Sequence, residues 1–158
     1  MSVTRRKFGK TKDGEPVTLY TITNKMGNSV SIMDYGATVQ SINIVDAEGE
    51  VIDCCLGYNT VAEYEEHTDF MGACIGRVGN RIGGSSFSLN GQTYTLATNE
   101  GENHLHGGLK GFDKQMFKAK IDSDDTVTFG RISPDGEEGY PGEFMFIVSY
   151  TFDDCDNF

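Results

Sequence analysis

This chain is short of positive charge. Thirteen Lys and Arg stand against 24 Asp and Glu, a formal net charge of −11. Such a surface repels nucleic acid and anionic membrane, so neither is expected as a partner, and a neutral ligand suits it better. Long apolar runs are missing as well: no stretch approaches the roughly 20 residues that span a bilayer. The basic N-terminus, MSVTRRKFGKTKDGEPV, has no apolar segment behind it and does not read as a secretory signal. The four cysteines, Cys54, Cys55, Cys74 and Cys155, form no C-x-x-C pair, which argues against a thiolate zinc site or a disulfide framework. Cys54 and Cys55, being adjacent, would face opposite sides of a strand. Buried, reduced thiols in a cytoplasmic protein are the expectation. There is no G-x-G-x-x-G phosphate loop and no G-x-S-x-G nucleophile elbow. Internal repeats, low-complexity segments and interdomain linkers are also lacking, and 158 residues fit a single domain, 1–158.

What is present is mostly strand and turn. Val17 to Thr23, Ser29 to Met33 and Thr38 to Val45 are rich in Val, Ile and Thr and punctuated by Gly27 and Gly36, as in an antiparallel meander. Gly36-Ala37 suggests a bend where the backbone needs room. Val51 to Leu56 follows a turn-rich segment as a further strand. Asn59 to His67 is the one helical stretch, with Thr60 as cap and Glu63 completing a capping box. A protonated His67 at its end would suit the helix C-terminus. Asn90-Gly91 between Ser86–Leu89 and Thr93–Leu96 predicts a tight hairpin. Met116 to Ile121 and Thr126 to Ile132 predict two more strands. Glu143 to Phe152 reads EFMFIVSYTF, apolar on one face and partly so on the other, and therefore calls for cover on both. The fold class is all-β.

Chemistry concentrates between Met71 and Phe112. This stretch holds two of the three histidines, His104 and His106, and two arginines, Arg77 and Arg81, in a glycine-spaced run. In an extended segment His104 and His106 would share a side, with Leu105 opposite. Three readings stay open for them: satisfying buried polar groups, ligating a metal, or facing a ligand as an acid/base or hydrogen-bonding imidazole. The metal reading lacks a third ligand nearby, since Lys110 and Gly111 stand where a glutamate would be wanted. Arg81 beside Asn80 offers a guanidinium fork plus an amide, suited to vicinal hydroxyls on a sugar. An ordinary surface ion pair explains Arg81 equally well.

Together these segments resemble the aldose 1-epimerases, or galactose mutarotases. The resemblance runs in order through Gly36-Ala37-Thr38-Val39, Gly76-Arg77-Val78-Gly79-Asn80-Arg81-Ile82 and Asn103-His104-Leu105-His106-Gly107-Gly108. It continues through Gly111-Phe112-Asp113-Lys114 and Ser133-Pro134-Asp135-Gly136-Glu137-Glu138-Gly139-Tyr140-Pro141-Gly142. It implies a galactose-mutarotase-like β-sandwich (a supersandwich), mostly antiparallel, in an enzyme that interconverts the α and β anomers of free hexoses such as galactose and glucose. A base removes the anomeric hydroxyl proton while an acid protonates the ring oxygen; the ring opens, the C1–C2 bond rotates, and the ring recloses. No metal or organic cofactor is implied. Asn80 and Arg81 match the family's sugar-binding pair, and His106 matches its substrate-contacting histidine, here in a supporting role. His104 falls where the family varies and is expected to be structural; Phe117 stands where a tryptophan is expected.

The same resemblance implies that 1–158 is the N-terminal portion of one aldose 1-epimerase domain, incomplete at the C-terminal side. The family's acid histidine and base glutamate have no counterpart here, and Glu137, Glu138 and Glu143 do not match the base. Little activity is expected from this chain alone. A non-catalytic sugar-binding module or a relative acting on hexose phosphates is the alternative, and the oligomeric state stays open.

Overall fold

Val, Ile and Thr alternating with polar residues build a five-stranded antiparallel meander in the first third of the molecule. The computed structural model, which describes residues 1–158, orders it β1 (Ser2–Lys10), β2 (Pro16–Thr23), β3 (Ser29–Met33), β4 (Thr38–Val45) and β5 (Val51–Asp53). Three of these lie within a residue of the expected bounds. β1 was not expected, because Arg5-Arg6-Lys7 interrupts the apolar alternation. It is an edge strand, where charged side chains discourage pairing with another chain. β5 stops short of Leu56. The Asp53 carboxylate accepts the N–H groups of Ile42 and Cys55, both at 3.0 Å, and turns the chain out of the ladder. That early exit leaves Cys54 exposed and Cys55 half-buried on a surface turn, so the expectation of buried thiols fails there and at exposed Cys155; all four thiols are free.

α1 (Val61–Glu66) begins with the expected capping box: Thr60 Oγ1 accepts the Glu63 N–H at 3.3 Å, and the Glu63 carboxylate accepts the Thr60 N–H at 2.9 Å. Its C-terminus departs from expectation. Lys114 Nζ, not His67, donates to the carbonyls of Tyr64 and His67. The exposed His67 ring instead stacks on Tyr58, centroids 4.6 Å apart. No helix is long and apolar enough to cross a membrane.

Beyond α1, β6 (Arg81–Ile82) pairs with β9 (His104–Leu105), and β7 (Ser86–Leu89) forms a hairpin with β8 (Gln92–Thr95). The hairpin turn is the expected Asn90-Gly91, with φ of 52° and 80°, the positive pair such a two-residue turn demands. A second antiparallel sheet runs β10 (Lys118–Ile121), β11 (Thr126–Ser133), β12 (Phe144–Thr151).

The two larger sheets meet face to face. Tyr20 and Ile22 of β2 and Val30 and Ile32 of β3 pack against Val127, Phe129 and Phe152, and the Tyr20 and Phe129 rings meet edge to face at 5.6 Å. Fully burying each such side chain stabilises by about 1.5–3 kcal/mol. β2 is buried on its other face too, where Val17 and Leu19 join Met33 beneath Val61 and Tyr64 of α1. β12 differs. Its inner stripe, Phe146, Val148 and Tyr150, packs on the core, while Met145 and Ile147 on the outer face are 63% and 59% exposed. The double cover expected for this strand is thus met on one side only.

Candidate functional site

The site is assembled where two short strands hold two irregular loops together. Arg81 lies opposite Leu105 and Ile82 opposite His104 in the β6–β9 ladder. Just outside it, Asn80 and His106 both take left-handed backbone conformations, φ 64° and 51°. Asn and His tolerate that region better than most side chains. The two residues are bonded reciprocally: the Asn80 N–H donates to His106 Nδ1 at 2.9 Å, and the His106 N–H donates to the Asn80 carbonyl at 3.1 Å. Gly107 lets the next residue of this loop lie against the Gly76-Arg77 backbone, because a Cβ there would sit 1.7 Å from the Gly76 carbonyl oxygen.

The left-handed turn at His106 also separates the histidines. Sharing a side requires an extended backbone, and the chain stops being extended after Leu105. His104 points inward and is fully buried, with Nδ1 2.8 Å from the Ala97 carbonyl and Nε2 2.8 Å from the Tyr140 hydroxyl. A carbonyl only accepts, so Nδ1 carries the proton and Nε2 accepts from Tyr140. His106 points outward. With Nδ1 accepting from Asn80, its neutral ring carries the proton on Nε2, which has no partner within the chain and is open to the outside.

The arginines divide in the same way. Arg77 spends its guanidinium on the 133–142 loop, donating five hydrogen bonds of 2.7–3.1 Å to Ser133 Oγ and to the carbonyls of Ser133, Pro134, Pro141 and Gly142. Arg81 is exposed. Its Nε and Nη2 meet the two carboxylate oxygens of Glu100 at 2.9 and 2.7 Å, and its Nη1 donates to Asn80 Oδ1 at 3.1 Å. The guanidinium holds the Glu100 carboxyl below the usual carboxylate range. Asn80, Arg81 and His106 are therefore brought together on an open ledge: the first two exposed, the third half-buried. Free N–H groups of Arg81, the His106 Nε2–H and the carboxylate of Glu100 alternate as donors and acceptor, an arrangement that fits the hydroxyls of a polyol.

Several residues to which sequence reasoning gave no part in the site shape this ledge. Phe70, itself left-handed at φ 57°, sets its ring edge-on to His106 with centroids 4.8 Å apart. The Asn99 amide donates to the carbonyls of Leu105 and Gly108, both at 2.9 Å, and accepts the Leu105 N–H at 2.7 Å. Glu138 accepts the N–H groups of Leu109 and Lys110 at 2.8 and 3.1 Å and so is committed to the loop. Asp113 lies buried behind them, its carboxyl pushed up by burial. The signal that could have found Asn99 and Glu100 is their place just ahead of the Asn103–Gly108 motif, in a turn short enough to fold back on it. No group of three or more His, Cys, Asp or Glu side chains is arranged to hold a metal.

The family model for aldose 1-epimerase matches residues 18–158. The chain belongs to the aldose 1-epimerase family. It is 40% identical over 153 residues to a galactose mutarotase of Sus scrofa, which covers 97% of this chain and 44% of that protein. It is 39% identical over 142 residues to an aldose 1-epimerase of Escherichia coli K12, covering 90% of this chain and 41% of the relative. Among solved structures, an aldose epimerase homologue from C. elegans superposes with a TM-score of 0.80 at 31% identity, over 85% of this chain and 41% of its own. A galactose 1-epimerase from Lactobacillus acidophilus gives 0.80 at 26% identity, over 98% and 45%. The two-sheet, antiparallel architecture is thus that of galactose-mutarotase-like proteins, and the chain spans somewhat under half the length of the curated relatives it matches.

Proposed function

We propose that residues 1–158 are the N-terminal portion of a single aldose 1-epimerase domain, and that Asn80, Arg81 and His106 are its grip on a free hexose such as galactose or glucose. The observation that carries this reading is the reciprocal bonding of Asn80 and His106 beside Arg81, which fixes an amide, a guanidinium and an imidazole on one open ledge. In the reaction proposed for the whole enzyme, the His106 Nε2–H steadies negative charge near the ring oxygen while the Arg81 N–H groups hold hydroxyls. Proton transfer at C1 and the ring oxygen needs a free acid and a free base. Glu137, Glu138 and Glu100 are each tied to cations or backbone N–H groups, and Asp113 is buried, which supports the reading that this chain alone binds sugar without interconverting its anomers. Four free thiols favour a reducing, cytoplasmic setting.

Polarimetry on freshly dissolved α-galactose tests this directly. The chain alone is expected to leave the rate at its uncatalysed value, while saturation-transfer NMR shows galactose bound and released by Arg81→Ala and by His106→Ala. Catalysis abolished by His106→Ala would mean that acid and base both lie within 1–158, and would overturn the division of labour.

A further inference from the structure

Arg81 does not offer a ligand a bare guanidinium. Glu100 takes its Nε and Nη2 in a planar two-point contact of 2.9 and 2.7 Å. The carboxylate is carried on a backbone that is itself tied down. The backbone of Glu100 is tied to Asn103 in both directions, N–H to carbonyl at 3.1 Å and back at 2.9 Å, across a turn in which Gly101 takes φ 58°. Next door, Asn99 stitches the same turn to Leu105 and Gly108. The loop that delivers His106 therefore also delivers a carboxylate into the fork of Arg81.

We propose that Glu100 is a specificity-determining residue, which occupies the guanidinium fork that would otherwise clamp an anionic group and so holds the ledge to neutral sugars against phosphorylated ones. This rests on the sugar-site reading above. An arginine with an empty fork binds a phosphate through two parallel hydrogen bonds. With Glu100 in place, a phosphate must either displace the carboxylate or take the outward N–H groups beside it, and in both cases it meets a negative charge at close range, on a chain already at −11. A neutral sugar meets no such obstacle. Its hydroxyls can donate to lone pairs left on the Glu100 carboxylate and accept from the outward N–H groups of Arg81.

The test uses the 15N-labelled chain and follows the Arg81 Nε–H resonance, and in every variant the backbone N–H resonances of Asn80 and His106, during titration with D-galactose, D-galactose 6-phosphate and inorganic phosphate. Wild type is expected to favour galactose. Glu100→Gln keeps the side-chain shape but removes the charge, and should raise the affinity ratio of galactose 6-phosphate to galactose by about tenfold at low salt. That gain should shrink as ionic strength rises and vanish in the R81Q/E100Q double variant. An unchanged ratio in Glu100→Gln, or a gain that survives loss of Arg81, overturns the proposal. If galactose moves the resonance in neither protein, the sugar-site reading fails. Inorganic phosphate then decides for Glu100 separately: tighter phosphate binding at Arg81 in Glu100→Gln supports the proposal, and none overturns it.

Discussion

Arg77 and Arg81 stand four positions apart, His104 and His106 two apart, and in each pair one side chain is taken up by the fold while the other keeps free groups. The inward members are spent: Arg77 donates five hydrogen bonds to a single loop, and His104 has both ring nitrogens engaged. The outward members keep groups in reserve, with the His106 Nε2 unpartnered and Arg81 held only by Glu100 and Asn80. Residue type is identical across each pair, so type alone does not mark the candidate site. What marks it is which donors remain unused after the fold has taken its share, and the left-handed backbone at Asn80 and His106 is what divides them.

The arginines give the largest contrast. Arg77→Ala removes a cation that holds the Ser133–Gly142 loop through four backbone carbonyls, and should destabilise the chain by about 4 kcal/mol in urea unfolding. Arg81→Ala should leave the urea midpoint where it is while galactose binding is lost, since its partners are exposed. Equal destabilisation by the two substitutions would erase the distinction between inward and outward members.

A smaller effect is expected at Glu137, which extends the inward side. Its carboxylate meets Arg131 through two bonds of 2.8 and 2.7 Å and also accepts from Ser133, while the Arg131 guanidinium lies 4.8 Å over the Phe112 ring. The Arg131 guanidinium holds the Glu137 carboxyl below its ordinary range. Glu137→Gln should cost about 3 kcal/mol at pH 7, because Arg131 is left without its counter-charge in a site that is 9% exposed. For a depressed carboxyl the stabilisation is complete above the unfolded-state pKa, about 4.3, and disappears as pH falls through the lower folded value. The stability gap between wild type and variant should therefore close on acidification below about pH 4–5. A gap independent of pH would mean that packing, and not charge, holds this corner.

Much of the scaffold could be read from the chain because its signals are local. Asn90-Gly91 set its hairpin, Thr60 and Glu63 set their capping box, and Gly36 at φ 70° marks a close approach, since a Cβ there would lie 2.7 Å from the Asp113 carbonyl oxygen. Asn80, Arg81 and His106 were singled out by their motifs, and the fold brings them together. The rest depended on contacts between distant positions. Lys114 reaches the end of α1 from about 50 residues away, the interval of its contact with Tyr64. Glu100 meets Arg81 across 19 positions. The parting of the histidines escaped the period-two rule because one left-handed residue suspends it. β1 stayed hidden because an edge strand tolerates the charges that disguise it.

The finest test lies at His104, where a single hydroxyl keeps the inward member spent. Tyr140 is buried, packs its ring edge to face on His104 at 5.4 Å, and donates its hydroxyl hydrogen to Nε2. Tyr140→Phe preserves the ring and removes only that donor. Nε2 is then a buried acceptor without a partner, worth about 2 kcal/mol of stability. Galactose binding should be untouched, because the hydroxyl faces the core side of the motif and His106 is held independently by Asn80. If Tyr140→Phe weakened sugar binding as much as Arg81→Ala does, the two histidines would have to be treated as one coupled unit, and the ledge would extend into the core beneath it.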